Sequence, residues 1–323
     1  MSERKTPQNV ESEVSHQLLP TCGVNSLNAD IYKHMSDYLA RKEFLNFLHV
    51  NKHVHGEYIE YRHLSLSKQY SLLYYESEDF CHRTSSLIID PRKQVSLDLS
   101  FCRGITDVSA LGGVHTLNLF GCSNITDVSA LGRVQNLDLS GCSSITDVNA
   151  LHGVHSLNLS LCLSVTDVSA LGGVRILNLS VCNITDVSAL GRVQTLNLSG
   201  CSNITDVSTL GRVQTLDLSR CSSITDVSAL GRIRTLCLSG CSSVSDVSAL
   251  GGVHSLNLFG CSNITDVSAL GGVHTLNLSG CSNITDVSAL GGVHSLNLSR
   301  CSNITDVSAL GGVQTLKLPG SLW

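Results

Sequence analysis

The residues in this chain best suited to chemistry come in columns. Asp107, Asp127, Asp147, Asp167, Asp186, Asp206, Asp226, Asp246, Asp266, Asp286 and Asp306 each precede a valine, and eleven cysteines from Cys102 to Cys301 keep the same rhythm. His115, His155, His254, His274 and His294 share a third place in it. Carboxylates in series suggest calcium, thiols suggest disulfides or zinc, and imidazoles suggest zinc or proton transfer. Calcium, however, takes about six or more oxygen ligands, whereas each unit offers one carboxylate and a few hydroxyls. An Asp in a turn instead accepts backbone N–H groups a little further on, which suits the start of "DVSA". Gln135, Gln194, Gln214 or Arg175 fills the histidine place in other units, a tolerance that marks an exposed flank and not a zinc ligand. No phosphate loop, His-Glu-x-x-His pair or nucleophile elbow occurs. The expectation is no catalytic residue, no cofactor, no metal and no enzyme.

The cysteines point inward. One per unit at a fixed apolar place is a core column, because a free thiol behaves as a small hydrophobe. Side chains stacked in parallel point the same way, which disfavours bridging, as does a reducing compartment. Asn-Leu-Ser begins at Asn158, Asn178, Asn197, Asn277 and Asn297, and Asn-Ile-Thr at Asn124, Asn183, Asn203, Asn263, Asn283 and Asn303. Glycans on stacked units about 5 Å apart would collide. The start of the chain is polar, unlike a secretory signal, and no run reaches the roughly eighteen apolar residues of a membrane span. A net charge of −5 supplies no basic field for nucleic acid or an anionic membrane. The expected location is cytoplasmic or nuclear, not secreted.

What positions these columns is a repeat. Val114, Leu117, Leu119, Cys122, Ile125, Val128 and Leu131 recur every twenty residues, and once, around Cys182-Asn183-Ile184, after nineteen. Leu-x-Leu alternates with period two, as a short strand with one buried face does. Thereafter the apolar places fall every third residue, which predicts a tight turning path. One unit cannot enclose its own apolar face, so the units must stack. Leu-x-Leu occurs twelve times in the series, from Leu97 to Leu318.

This skeleton resembles the leucine-rich repeat, L-x-x-L-x-L-x-x-N/C-x-L, over about residues 94–318. The Cys-x-x-Ile-Thr-Asp form is similar to the cysteine-containing variant of F-box proteins, and the short "ITDVSAL" arm to that of internalin-like repeats. The resemblance implies an α/β solenoid, a parallel-strand horseshoe or arc with short helix-free convex arms, monomeric, binding protein partners on its concave face. The outward strand places are mostly Asn, Asp, Ser and Thr. The expected partner-binding residues are the departures Phe120, Ile176, Cys237 and Phe259, with Arg220 and Arg300 just beyond the strands, and Asn197 and Asn277 of the regular ladder. Lys317 and Pro319 suit an edge strand that refuses further pairing.

The first quarter differs. All seven tyrosines precede residue 91, and Leu27–His55 reads as two amphipathic helices. Leu27, Asp30 and Ile31, then Tyr38-Leu39, Glu43-Phe44 and Val50-Asn51-Lys52 follow the order of an F-box, which this segment resembles; Asn28 stands where that family carries proline. The resemblance implies docking to a Skp-type adaptor of a cullin ubiquitin ligase, in a eukaryotic or virus-infected cell. The docking residues would be Leu27, Asp30, Ile31, Met35, Leu39, Phe44, Leu48 and Val50, with the repeats presenting the substrate protein. The alternative is an interaction scaffold without a ubiquitin role, whose N-terminal helices only cap the solenoid. The domain reading is a tail at 1–23, the F-box-like segment at 24–60, an atypical first repeat at 61–91 and the solenoid at 92–323. Within 61–91, Leu64-Ser65-Leu66 predicts a strand, followed by one helix through Leu72, Leu73 and Phe80.

Overall fold

In the computed structural model of this chain, residues 63–86 and 94–320 are described, all within one unit, Glu60–Trp323. Strand β1 (His63–Ser65) is followed by helices α1 (Lys68–Glu76) and α2 (Glu78–Ser86) and by strand β2 (Gln94–Asp98). Eleven three-residue strands follow, from β3 (Thr116–Asn118) to β13 (Thr315–Lys317). All thirteen form one parallel sheet in sequence order, each strand paired with its neighbours in the chain. Leu117 faces Leu137 across twenty residues, while Ile176 faces Thr195 across nineteen. The deletion therefore leaves the register intact: it falls in the turn after Cys182, and Ile184 remains fully buried. This is a parallel-strand solenoid, and it fits the leucine-rich-repeat pattern of the sequence.

The apolar columns build the interior. Leu117 and Leu119 are buried while Thr116 and Asn118 between and beside them are partly open, the alternation a half-buried strand requires. After the strand the chain bends tightly, with Cys122 N–H donating to the Leu119 carbonyl at 3.0 Å and Ile125 N–H to that of Cys122 at 3.3 Å. It then enters a 3₁₀ turn, as at Ser129–Arg133, where Leu131 N–H donates to the Val128 carbonyl. Three residues per turn is the period of that helix, so the every-third apolar spacing keeps Ile125, Val128 and Leu131 on the inner side. The first glycine of the pair Gly112-Gly113 is a close approach: a Cβ there would lie 2.3 Å from the Ala130 carbonyl oxygen of the next arm.

The segment before β2 closes the first strands. Tyr70, Leu73, Tyr74 and Phe80 are buried, and the Tyr70 and Phe80 rings stack at 6.3 Å. Buried Ser71 ties α1 to both strands' neighbourhood: its Oγ donates to the Leu66 carbonyl at 3.2 Å and accepts Asp98 N–H at 3.0 Å. The strand of this segment lies at His63–Ser65, but the single helix expected after it is two. The chain is extended at Ser77, whose Oγ accepts Phe80 N–H at 3.3 Å, and Glu78 and Asp79 open the new helix. A serine that caps in this way ends one helix and starts the next. Leu27, Asp30, Ile31, Met35, Leu39, Phe44, Leu48 and Val50 lie outside the described residues.

Candidate binding face

The polar columns are consumed by the backbone. Every aspartate of the ladder accepts the backbone N–H two residues on, as from Ser129 to Asp127 at 2.8 Å and from Ser208 to Asp206 at 2.8 Å. These N–H groups, helped by the serine hydroxyls, hold the Asp127 and Asp206 carboxyls below their ordinary value. The turn reading thus describes where these oxygens go.

The thiols are equally occupied. Cys162 Sγ donates to the Leu139 carbonyl of the preceding unit at 3.1 Å, and that carbonyl also accepts Cys142 N–H at 3.0 Å. Ten cysteines of the column, from Cys122 to Cys301, are buried; Cys102, in the first unit, is half-buried. Burial, followed by the neighbouring thiols, pushes Cys162 and Cys221 up to about 12. Burial, with a smaller push from Cys237 and against the backbone of Cys241 and Gly240, also raises Cys261, to about 11. Such thiols stay protonated, which is the form that can donate the hydrogen bond.

The imidazoles of His254, His274 and His294 stack face to face, with centroids 4.7 and 4.5 Å apart and planes 6° and 11° from parallel. Ring nitrogens point outward in the ring plane, so parallel stacked rings do not converge on one ion. Among the described residues no group of three or more His, Cys, Asp or Glu is placed to hold a metal.

On the open face of the sheet, the asparagine ladder turns its amides back on the chain. Asn197 Oδ1 accepts Ser199 N–H at 2.9 Å, and Asn277 Oδ1 accepts Ser279 N–H at 3.0 Å while its Nδ2 donates to Asn257 Oδ1. Both are half-buried. Asp138 and Asp217 do the same where they replace asparagine. Cys237 breaks this ladder; its Sγ lies 3.0 Å from Ser219 Oγ and accepts from Asn257 Nδ2 at 3.3 Å.

The remaining expected residues fall into three places. Ile176, on β6 (Ile176–Asn178), is 43% exposed, and Phe259, after β10 (Ser255–Asn257), is 41% exposed. Between them in the strand order lie Asn197 on β7 (Thr195–Asn197), Arg220 after β8 (Thr215–Asp217) and Cys237 on β9 (Thr235–Cys237), so these five share one stretch of sheet. Phe120 stands apart near the first units, edge-on to Phe101 at 4.6 Å, with Lys68 Nζ 5.8 Å from the Phe101 ring. Arg300 stands apart near the last.

Arg220 and Arg300 share a backbone place the sequence did not reveal. In every complete unit the residue before the column cysteine has positive φ; it is Gly121, Gly141, Gly200, Gly240, Gly260 and Gly280 in six, but Phe101, Leu161, Val181, Arg220 and Arg300 in the others, at φ 58 to 64°. That conformation is uncommon for any side chain and a genuine outlier for β-branched Val181. Leu161 and Val181 are also exposed, with Leu163 beside them. None of these three was among the expected partner-binding residues, although Leu161 and Val181 stand where six units carry Gly and Leu163 where most carry Ser.

No family model matches this chain, and no curated protein does. Among solved structures, an internalin, InlF, from Listeria monocytogenes is similar at 20% identity, over 72% of this chain and 81% of that one, with a TM-score of 0.48. The functional domain of InlJ from the same species, which includes a cysteine ladder, matches at 20% identity over 66% of this chain and 54% of that one, TM-score 0.43. A leucine-rich-repeat protein of Leptospira interrogans matches at 16% identity over 79% and 77%, TM-score 0.48. No TM-score among these three reaches 0.5.

Proposed function

We propose that this chain is a protein-interaction adaptor that holds its partner on the open face of the sheet between β6 and β10. One observation carries the reading: apolar side chains stand exposed where the columns are otherwise polar and self-satisfied. Ile176 and Phe259 are open on the sheet, and Leu161, Leu163 and Val181 at its margin. Exposed apolar patches mark interaction sites, and aromatic and arginine side chains, here Phe259 and Arg220, are the usual anchors of interfaces. Polar neighbours already bonded to their own backbone cost little to cover, because they keep those bonds under a partner.

The finer reading joins this face to ubiquitin transfer. The F-box-like order from Leu27 to Val50 would dock a Skp-type adaptor, in the cytoplasm or nucleus, while the sheet presents a substrate protein. The sequon asparagines favour that compartment, since Asn124, Asn183, Asn263 and Asn283 spend their Nδ2 on carbonyls of the preceding unit.

Two measurements test these layers separately. Restoring the column residues, Ile176→Thr with Phe259→Ser, should leave the fold intact and weaken a crosslink-mapped protein partner at least tenfold; unchanged binding removes the sheet-face reading. Co-purification with a Skp-type adaptor should be lost on Phe44→Asp or Leu48→Asp. If the intact chain captures no adaptor but keeps its partner, it is a scaffold with no ubiquitin role.

A further inference from the structure

A second surface lies at the corner where each arm enters its strand. Arg192 and Arg212 end the 3₁₀ turns Ser188–Arg192 and Ser208–Arg212, and Arg232 occupies the same place one unit later. Two residues after this place comes the strand-entry column, which reads Arg175, Gln194, Gln214, Arg234. Val193 and Val213 between them are buried and extended, so the residues on either side of each valine emerge together. The result is a two-column lattice spanning four successive units, with Arg232 and Arg234 side by side.

All five arginines are exposed. Five of the ten Lys and Arg residues between 94 and 320 thus sit at one corner of four units, in a chain of net charge −5. Neighbouring units are about 5 Å apart, so these cations repel one another. None has a carboxylate partner among the described residues. The carboxylates of the same units, Asp206 and Asp226, sit at the other end of the 3₁₀ turns, engaged with Ser208 and Ser228 N–H. The strand-entry column is also ordered: Arg175 Nε donates to Gln194 Oε1, and Gln194 Nε2 to Gln214 Oε1 at 2.9 Å.

We infer that this corner binds an extended acidic peptide segment of a partner protein, laid across the units. Guanidinium groups pair with carboxylates in a fork geometry and hold their charge at every physiological pH. Four units span about 15 Å, the length of roughly five extended residues. Glycine occupies the arm-end place on both sides, at Gly173 and Gly252, so the basic surface stops where a short segment would. A long nucleic acid or a membrane would run on into units whose charge is carried by the aspartate ladder. Arg175 abuts Ile176 on β6, but the arm-end arginines lie at the entry side of the strands, whereas Phe259 follows the exit of β10, and the basic surface needs neither apolar side chain.

The test is fluorescence anisotropy of labelled octaglutamate on the full chain at low ionic strength. It should bind, weaken with added salt, and lose at least tenfold affinity, about 1.4 kcal/mol, in the triple variant R192Q, R212Q, R232Q. The variant F259S should leave it unchanged. Should the triple variant misfold by circular dichroism, R232Q and R234Q alone should each weaken binding at least twofold. Absent binding, equal affinity of the arginine variants, or tighter binding of an oligothymidylate or of phosphatidylserine vesicles than of octaglutamate would overturn the inference.

Discussion

The column cysteines make the protein's stability a function of pH. An unfolded thiol ionises near its ordinary value of 9.0, whereas Cys142, Cys162, Cys182, Cys221, Cys241 and Cys281 are pushed up to about 12 in the fold, first by burial. Below pH 9 both states keep the proton, and this contribution is complete. Above it the unfolded chain sheds protons that the fold retains, so stability falls by up to about 1.4 kcal/mol per pH unit for each thiol. Several thiols act together, and the protein should unfold cooperatively between about pH 9 and 11. Thiolate absorbance and loss of circular dichroism should share one midpoint; thiolates appearing near pH 9 in an intact fold would contradict the burial. The aspartates act at the other extreme. For Asp127 and Asp206, whose serine partners lower the pKa, this means a contribution present above the unfolded value of 3.8 and lost as pH falls through the folded one.

Among the elements, the glycine pairs give a matched contrast. A Cβ on Gly112 would meet the Ala130 carbonyl oxygen at 2.3 Å, while one on Gly113 would meet nothing within 4 Å. Gly112→Ala should therefore destabilise the protein by about 1–3 kcal/mol, the usual range for overpacking, and Gly113→Ala should change it little. Urea unfolding checks both. The strands and turns were legible because their apolar periods differ, two for Leu-x-Leu and three for Ile125, Val128 and Leu131. The break at Ser77 was not, since the apolar spacing from Tyr70 to Phe80 runs through it and only a local hydroxyl bond ends the helix. Positive φ at Val181 was equally hidden, because a backbone torsion shows in the letters only when glycine accepts it. Of the expected site residues, Ile176 and Phe259 were legible as breaks in polar columns. The turning-in of Asn197 and Asn277 was not, because it depends on N–H groups that the fold alone brings within reach.

For the molecule as a whole, each unit is held by its neighbours, so position along the stack should decide what a core substitution costs. Leu196 is buried between two units, whereas the equivalent Leu316 on the last strand is half-open. Leu196→Ala should cost about 2–5 kcal/mol and Leu316→Ala less than half as much; equal costs would argue against stacking as the source of stability. All units share one dry interior, and its most direct measurement is the native thiol count with a water-soluble disulfide reagent near pH 8. Of fourteen cysteines, ten of the column are buried, so at most four should react in the folded chain and all fourteen after unfolding in guanidinium. Ten or more reacting at once in the folded chain would show that the interior is open to water.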